Sequence, residues 1–151
     1  MIVAFCGHSE YVERKNDEKR ILDIFYKVVG DEECEFFLGE YGRFDAFAYS
    51  CAKKYKQRNK KAKLVFISPY PLGHKRYSKD ELASRFDLVI YPELEHVPNR
   101  FAISHRNRWI VDKADVIIAY VNHSYGGAYA MYSYAKRKSK EIYKLYQNDI
   151  I

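Results

Sequence analysis

The chain has 151 residues, of which 48% are hydrophobic and 30% are charged, and its formal net charge is +6. This size and balance suit one globular domain with a core, and they exclude a disordered chain, a collagen-like repeat and a disulfide-stapled miniprotein. There is no apolar run of about 18 residues and no basic leader segment, so we expect neither a membrane span nor a signal peptide. Three cysteines without metal-type spacing are typical of reduced thiols. We therefore expect a single cytoplasmic domain over residues 1–151.

Six short apolar runs, rich in Val, Ile, Phe and Tyr, predict β-strands that are buried on both faces. They cover residues 2–6, 34–38, 64–68, 88–91, 116–121 and 142–146. The segments between them have helical periodicity, as in Phe44, Phe47, Ala48 and Cys51. Strands that alternate with helices form βαβ units with right-handed crossovers. The sequence thus predicts an α/β fold, a doubly wound and mainly parallel Rossmann-like sheet between two helix layers.

Two further patterns fall at the ends of predicted helices, a capping box and a pair of basic stretches. Ser78 and Glu81, three residues apart, predict a capping box at the start of a helix. The stretches 53–63 and 136–140 are strongly basic and fall at predicted helix ends, where cations complement the helix dipole. We expect them to be solvated helix ends. A nucleic-acid binder built on 53–63 and surface tyrosines is the alternative, and its affinity would depend steeply on salt.

Ligands of open α/β sheets bind beyond the carboxyl ends of the strands, so the residues directly after each strand are the candidates for a site. Small and polar residues follow four of the predicted strands. They are Gly7, His8 and Ser9 after the first, Gly39, Glu40, Gly42 and Asp45 after the second, Ser68 after the third, and Ser124, Gly126 and Gly127 after the fifth.

Glycine pairs open two of the predicted helices, Gly39 with Gly42 and Gly126 with Gly127. Backbone N–H groups at a glycine-rich helix start can approach an anion closely, so each pair suits a phosphate. A structural turn explains either pair as well. The spacing matches neither GxGxxG nor a Walker loop.

Arg106 and Asn107 interrupt the apolar face that Ile103 and Ile110 define on the predicted helix between the fourth and fifth strands. A polar pair against a sheet is costly unless it has partners. A phosphate, a sugar or buried backbone carbonyls would serve, and an arginine binds phosphate through two hydrogen bonds. A salt bridge of Arg106 at the edge of the core is the alternative.

The five histidines lack the spacing of a metal motif, and no CxxC pair joins them, so we expect no metal and no cofactor. His8 and His123 each follow a predicted strand and are therefore the two histidines that we expect near a site. A GxSxG elbow is absent, which leaves a serine hydrolase without support.

Several segments together resemble the SLOG superfamily, the Rossmann-like group that contains the Lonely-Guy proteins and the DNA-processing Smf proteins. They are FCGHS after the first strand, FFLGEYGRFD at the second helix, YPELEHVPNRFAISHRNRWIVDKADVIIAYV, and HSYGGAYAMYSYAKRKSKEIYKLY. The resemblance covers nearly the whole chain and is closest to small, largely uncharacterised bacterial and phage members. It implies a pocket for a nucleotide or nucleotide derivative, with Gly126 and Gly127 at the phosphate and Arg106 beside it.

Some members of the superfamily are N-glycosidases that carry the pattern PGGxGTxxE. The present chain has Ser133 at the position of the essential glutamate. An enzyme of this kind would need another carboxylate near the oxocarbenium-like transition state, and Glu40 is the candidate, with Glu10 as a second one.

The sequence therefore favours a cytosolic sensor or accessory protein that binds a nucleotide derivative. In this interpretation Glu40 or Asp45 accepts ribose hydroxyls, and Ser124 helps to hold the phosphate. The alternative is a nucleotide N-glycosidase, phosphoribohydrolase or deoxyribosyltransferase-type enzyme. We expect no membrane partner, a homo-oligomer, and nucleic acid as a less favoured partner. Trp109, Tyr129 and Tyr132 could form the interface between copies, or pack in the core.

Overall fold

The computed structural model describes residues 1–146, and its centre is one six-stranded sheet. The strands are β1 (Ile2–Gly7), β2 (Cys34–Leu38), β3 (Ala62–Ile67), β4 (Leu88–Ile90), β5 (Val116–Tyr120) and β6 (Glu141–Lys144). All neighbouring strands are parallel, and their order is β4-β3-β2-β1-β5-β6. The predicted α/β fold with a doubly wound parallel sheet is confirmed.

Helices cover both faces of this sheet. They are α1 (Asp17–Val28), α2 (Arg43–Arg58), α3 (Lys79–Arg85), α4 (Ala102–Lys113) and α5 (Gly126–Arg137), with a 3-10 turn at Asn99–Phe101. Successive strand residues point to opposite faces, so Val3 packs with α1 and α2 whereas Ala4 packs with α4 and α5. Ser78 caps α3 as predicted, since the Glu81 N–H donates to Oγ of Ser78 at 3.4 Å, whereas the Glu81 carboxylate lies 4.0 Å from Nη1 of Arg85.

The strand order reverses at β1. From β1 the chain builds the sheet outward through β2 and β3 to β4, then crosses back and adds β5 on the other side of β1. The connections after β1 and β5 therefore leave the sheet toward opposite faces and open a crevice between them. This crevice fixes where a site can form. Within residues 1–146, no helix is long and apolar enough to cross a membrane.

Candidate functional site

A cleft of about 210 Å³ lies at this crevice, beyond the carboxyl ends of β1, β2 and β5. The N-terminus of α5 and one side of α4 close it. The structure brings together in its lining the following predicted site residues: Gly7, His8, Ser9, Gly39, Asp45, Arg106, Asn107, Gly126 and Gly127.

Arg106 lies under the floor of the cleft and is only 3% exposed. Its Nη1 donates to the carbonyl oxygen of Ile67 at 2.7 Å, and its Nε donates to Oδ1 of Asn107 at 3.0 Å. Burial lowers the pKa of Arg106, and the nearby carboxylate of Asp45 opposes that shift. The polar pair on the apolar face of α4 is thus satisfied inside the protein, by a backbone carbonyl and by each other.

Asp45 faces Arg106 from the first turn of α2. One of its carboxylate oxygens accepts a hydrogen bond from the Tyr41 N–H at 2.9 Å. Burial raises the pKa of Asp45 to about 6, although the Arg106 guanidinium and the Tyr41 hydrogen bond both act in the opposite direction. Its charge therefore changes close to neutral pH.

Three rings form an aromatic stack that rises from the cleft to the solvent. The rings of His8 and His123 are parallel within 17°, with centroids 3.5 Å apart, and Tyr125 covers His123 at 3.9 Å and 23°. His8 is buried, whereas Tyr125 is 69% exposed. The stack therefore ends in an aromatic surface that faces water. The sequence analysis placed His8 and His123 near a site and missed the role of Tyr125.

Hydrogen bonds orient the two histidines of the stack. The Asn122 N–H donates to Nε2 of His8 at 3.1 Å, and Nε2 of His123 lies 2.8 Å from Oε1 of Glu10. Burial lowers the pKa of His8, and His123 adds to this effect, so the neutral ring is favoured. The hydrogen bond with His123 lowers the pKa of Glu10. Among the described residues, Nδ1 of His123 is buried and has no hydrogen-bond partner.

The same cluster offers three candidate ligands for a metal ion, two imidazoles and a carboxylate. His8, Glu10 and His123 each place one ligand atom within 4.8 Å of the others. An imidazole binds a metal with a lone pair that lies in the ring plane. Because the two rings are stacked in parallel planes, one ion cannot lie in both planes at once, and the observed arrangement suits stacking better than metal binding.

Glu10, the second candidate carboxylate, lines the cleft, whereas the predicted site residues Glu40, Gly42, Ser68 and Ser124 do not. Glu40 forms a two-point ion pair with Arg85, at 2.7 and 2.9 Å, and lines a separate cleft beside α3. This pairing takes it away from the catalytic position that the sequence analysis considered. Ser68 is buried and donates to the Tyr70 carbonyl oxygen at 2.6 Å. Gly42 packs against Ser9 with a φ of +101°, and Ser124 is exposed beside the cleft.

A second concavity, which we call the α4–α5 groove, continues from the cleft along the outer surface of these two helices. Its volume is about 720 Å³, and it shares Tyr41, Asn107 and Gly127 with the cleft. Three arginines line it, Arg100, Arg108 and Arg137, with no carboxylate among the described lining residues. Sequence reasoning missed this groove because its arginines lie on three different elements, the 3-10 turn, α4 and α5, which only tertiary packing brings together.

The basic stretch 53–63 lies at the opposite edge of the sheet. Helix α2 ends at Arg58 and β3 begins at Ala62, so this stretch adjoins the amino ends of the strands. Lys54 and Lys56 form ion pairs with Glu18 and Asp87 at 2.6 and 2.5 Å. The stretch is therefore partly neutralised and remote from the cleft.

Two of the aromatic residues considered for an interface between copies pack inside the protein. Tyr132 is buried with α4 and α5, and the ring of Trp109 stacks on Phe37 with centroids 5.9 Å apart. Core packing therefore accounts for both.

No protein-family model and no curated protein sequence matches the chain. Solved structures that are similar to it include two DNA processing protein A structures. DNA processing protein A from Helicobacter pylori, described for its unique single-stranded DNA binding mode, has a TM-score of 0.65 at 14% identity over 99% of this chain. DNA processing protein A from Streptococcus pneumoniae has a TM-score of 0.62 at 17% identity over 94% of it. The chain spans 67% of the first protein and 49% of the second.

These comparisons correct the interpretation drawn from the resemblance. The similar structures are DNA processing protein A proteins, so the assignment to the SLOG superfamily is wrong. The expectations of a nucleotide-derivative ligand and of a nucleotide N-glycosidase are corrected with it, because the Helicobacter protein is described by its binding of single-stranded DNA. The low rank that the sequence analysis gave to nucleic acid as a partner is wrong for the same reason.

Proposed function

We propose that this chain binds single-stranded DNA along the cleft and the α4–α5 groove. The observation that carries the proposal is the continuity of an arginine-lined groove with an aromatic stack that ends in an exposed ring. The similarity in fold to a protein that binds single-stranded DNA supports it. The +6 net charge of the chain agrees with a polyanionic partner.

The aromatic stack favours single strands over duplexes. Proteins that bind single strands without sequence preference offer aromatic rings on which unpaired bases stack. The outer face of Tyr125 is open to solvent, and Tyr41, at the junction of cleft and groove, is 53% exposed. In a duplex the faces of the bases are already stacked on one another, so exposed aromatic rings would contribute little to the binding of a duplex.

The α4–α5 groove supplies the contacts for the phosphate backbone. A guanidinium can bind phosphate through two hydrogen bonds, and Arg100, Arg108 and Arg137 are all exposed. At the cleft end of the groove, α5 begins at Gly126 with no side-chain cap on its first turn. A Cβ on Gly126 or Gly127 would have no neighbour within 4 Å, so a phosphate can approach these backbone N–H groups.

The basic stretch 53–63 is a weaker candidate for the same partner. Two of its lysines are paired with carboxylates, and Asn59 within it donates to the carbonyl oxygen of Glu32, in a loop that also carries Asp31 and Glu33. Acidic side chains beside the basic ones reduce the attraction for a phosphate backbone.

The test is a fluorescence-anisotropy titration with a labelled oligothymidylate over a range of salt concentrations. Each phosphate that is neutralised on a single strand contributes about −0.7 to the slope of log affinity against log salt. The triple variant Arg100→Ala, Arg108→Ala and Arg137→Ala is expected to bind more weakly and to have a slope that is shallower by about 2. The variant Tyr125→Ala is expected to lose about 5- to 150-fold in affinity, the usual effect of one stacking ring.

A matched control removes the same charge elsewhere. Lys53→Ala, Lys60→Ala and Lys61→Ala change three exposed cations at the amino edge of the sheet, and this variant should bind as the wild type does. Equal losses in the two triple variants would show that net charge, and not the groove, decides binding. Tighter binding of a duplex or of an RNA of the same length would contradict the proposed partner.

A further inference from the structure

We propose that the loop between β3 and α3 carries a second base-stacking platform, formed by Tyr70 and His74, for the same single strand. This inference rests on the proposed function and extends it to a two-part site. The Tyr70 and His74 rings are stacked with centroids 4.5 Å apart and an angle of 16°. They line a shallow pocket of about 370 Å³ together with Lys75, Arg76 and Asn99.

The second platform combines the same two kinds of group as the proposed first site, stacked aromatic rings and cations. A stacked aromatic pair lies beside two exposed cations, Lys75 and Arg76, and the described lining of the pocket contains no carboxylate. Stacking rings with adjacent cations are the combination by which proteins hold single strands, since one part takes the bases and the other the phosphates.

Hydrogen bonds hold this loop in shape. The Ser68 hydroxyl donates to the Tyr70 carbonyl oxygen at 2.6 Å and accepts from the Tyr70 N–H at 3.1 Å. The Arg76 N–H donates to Nδ1 of His74 at 3.2 Å, and the Tyr77 N–H donates to the His74 carbonyl oxygen at 3.1 Å. A platform that is ordered before binding loses less conformational entropy when a base stacks on it.

The two parts of the site are continuous along the surface. Asn99 lines the pocket of the second platform and Arg100 lines the α4–α5 groove, and the two are consecutive residues of one 3-10 turn. The platforms follow β3 and β5, which are three strand spacings apart in the sheet, or about 14 Å. At about 3.4 Å per stacked nucleotide, this separation corresponds to roughly four nucleotides.

The test compares wild type and variants over a series of oligothymidylates from about 4 to about 20 nucleotides. Tyr70→Leu with His74→Leu removes both ring faces and keeps most of the volume. This variant should match wild type at the shortest lengths that bind, and lose about fivefold or more at the longest. Lys75→Ala changes an exposed side chain and carries little risk to folding. It should make the salt slope shallower by about 0.7 for the long oligonucleotide alone, whereas Lys61→Ala should leave both lengths unchanged.

The outcomes separate this inference from the function on which it rests. If wild type binds the whole series and the Tyr70 and Lys75 variants match it at every length, the second platform is refuted and the proposed function stands. Equal losses of affinity for short and long oligonucleotides also refute the second platform, because the loop would then affect binding at the first site. If wild type binds no oligothymidylate of any length, both proposals fail.

Discussion

The Asp45 carboxylate and the Arg106 guanidinium meet at Gly39, on the floor of the cleft. A Cβ on that glycine would lie 2.8 Å from Oδ2 of Asp45 and 3.3 Å from both Nη1 and Nη2 of Arg106. The absence of a side chain thus leaves room for a carboxylate and a guanidinium beside the same backbone position.

Gly39→Ala is expected to lower the free energy of unfolding by about 0.5–1.5 kcal/mol, because the added methyl group would displace the Asp45 carboxylate oxygen that accepts the Tyr41 N–H. Urea denaturation measures the change. Gly127→Ala is the matched control, since a Cβ there has no neighbour within 4 Å. A loss of stability in the control as large as that in Gly39→Ala would contradict the explanation.

Asp45→Asn is expected to stabilise the protein at high pH. The pKa of Asp45 is raised from 3.8 to about 6 on folding, so its contribution to stability is fully present below pH 3.8 and is lost as the pH rises through 6. Asparagine resembles the protonated carboxyl and does not ionise. We expect the variant to gain about 1–3 kcal/mol at pH 8 and to match wild type near pH 4. Equal unfolding free energies at pH 8 would refute the pKa shift.

Arg106→Ala is expected to cost about 2–4 kcal/mol of stability, since it leaves the Ile67 carbonyl oxygen without its donor and Asp45 without its guanidinium. The double variant with Asp45→Asn should lose less than the sum of the two single changes predicts. Thermal and urea unfolding of wild type, the two single variants and the double variant complete this double-mutant cycle. Strict additivity would show that the two side chains do not interact.

Lowering the pH is expected to destabilise the protein through His8, whereas through Asp45 it stabilises the protein. Its pKa is lowered below 6.5 by burial and by His123, so its contribution to stability is present above pH 6.5 and is lost as the pH falls through the lowered value. His8→Gln retains an acceptor for the Asn122 N–H and does not titrate. The drop in Tm between pH 7.5 and 5 should be smaller in this variant, and an identical drop would exclude His8 as the cause.

The strands were predictable because their side chains are buried on both faces and form continuous apolar runs. The prediction for residues 34–38 coincides with β2, whereas β3 begins at Ala62, two residues before its predicted start, because the exposed Lys63 interrupts its apolar run. The same physics placed His8, Asp45 and Arg106 in one cleft, since the carboxyl ends of parallel strands and the helices that follow them meet at one edge of the sheet.

The partners of the polar side chains were not predictable from the sequence. Glu40 and Arg85 are 45 residues apart, and only tertiary packing brings α3 and the segment after β2 into contact. The stack of His8, His123 and Tyr125 depends likewise on the rotamers of residues that follow two different strands. Local pattern gives the position of a side chain along an element, and tertiary packing decides which neighbour it meets.

The position of β1 in the middle of the sheet has a consequence for synthesis on the ribosome. Val3 of β1 pairs with Val116 of β5, so more than a hundred residues separate the central strand from one of its two neighbours. At about 5–20 residues per second, translation leaves that edge of β1 unpaired for roughly 5 to 20 s. We therefore expect slower translation to lengthen the time during which an apolar strand edge is open to self-association before β5 emerges.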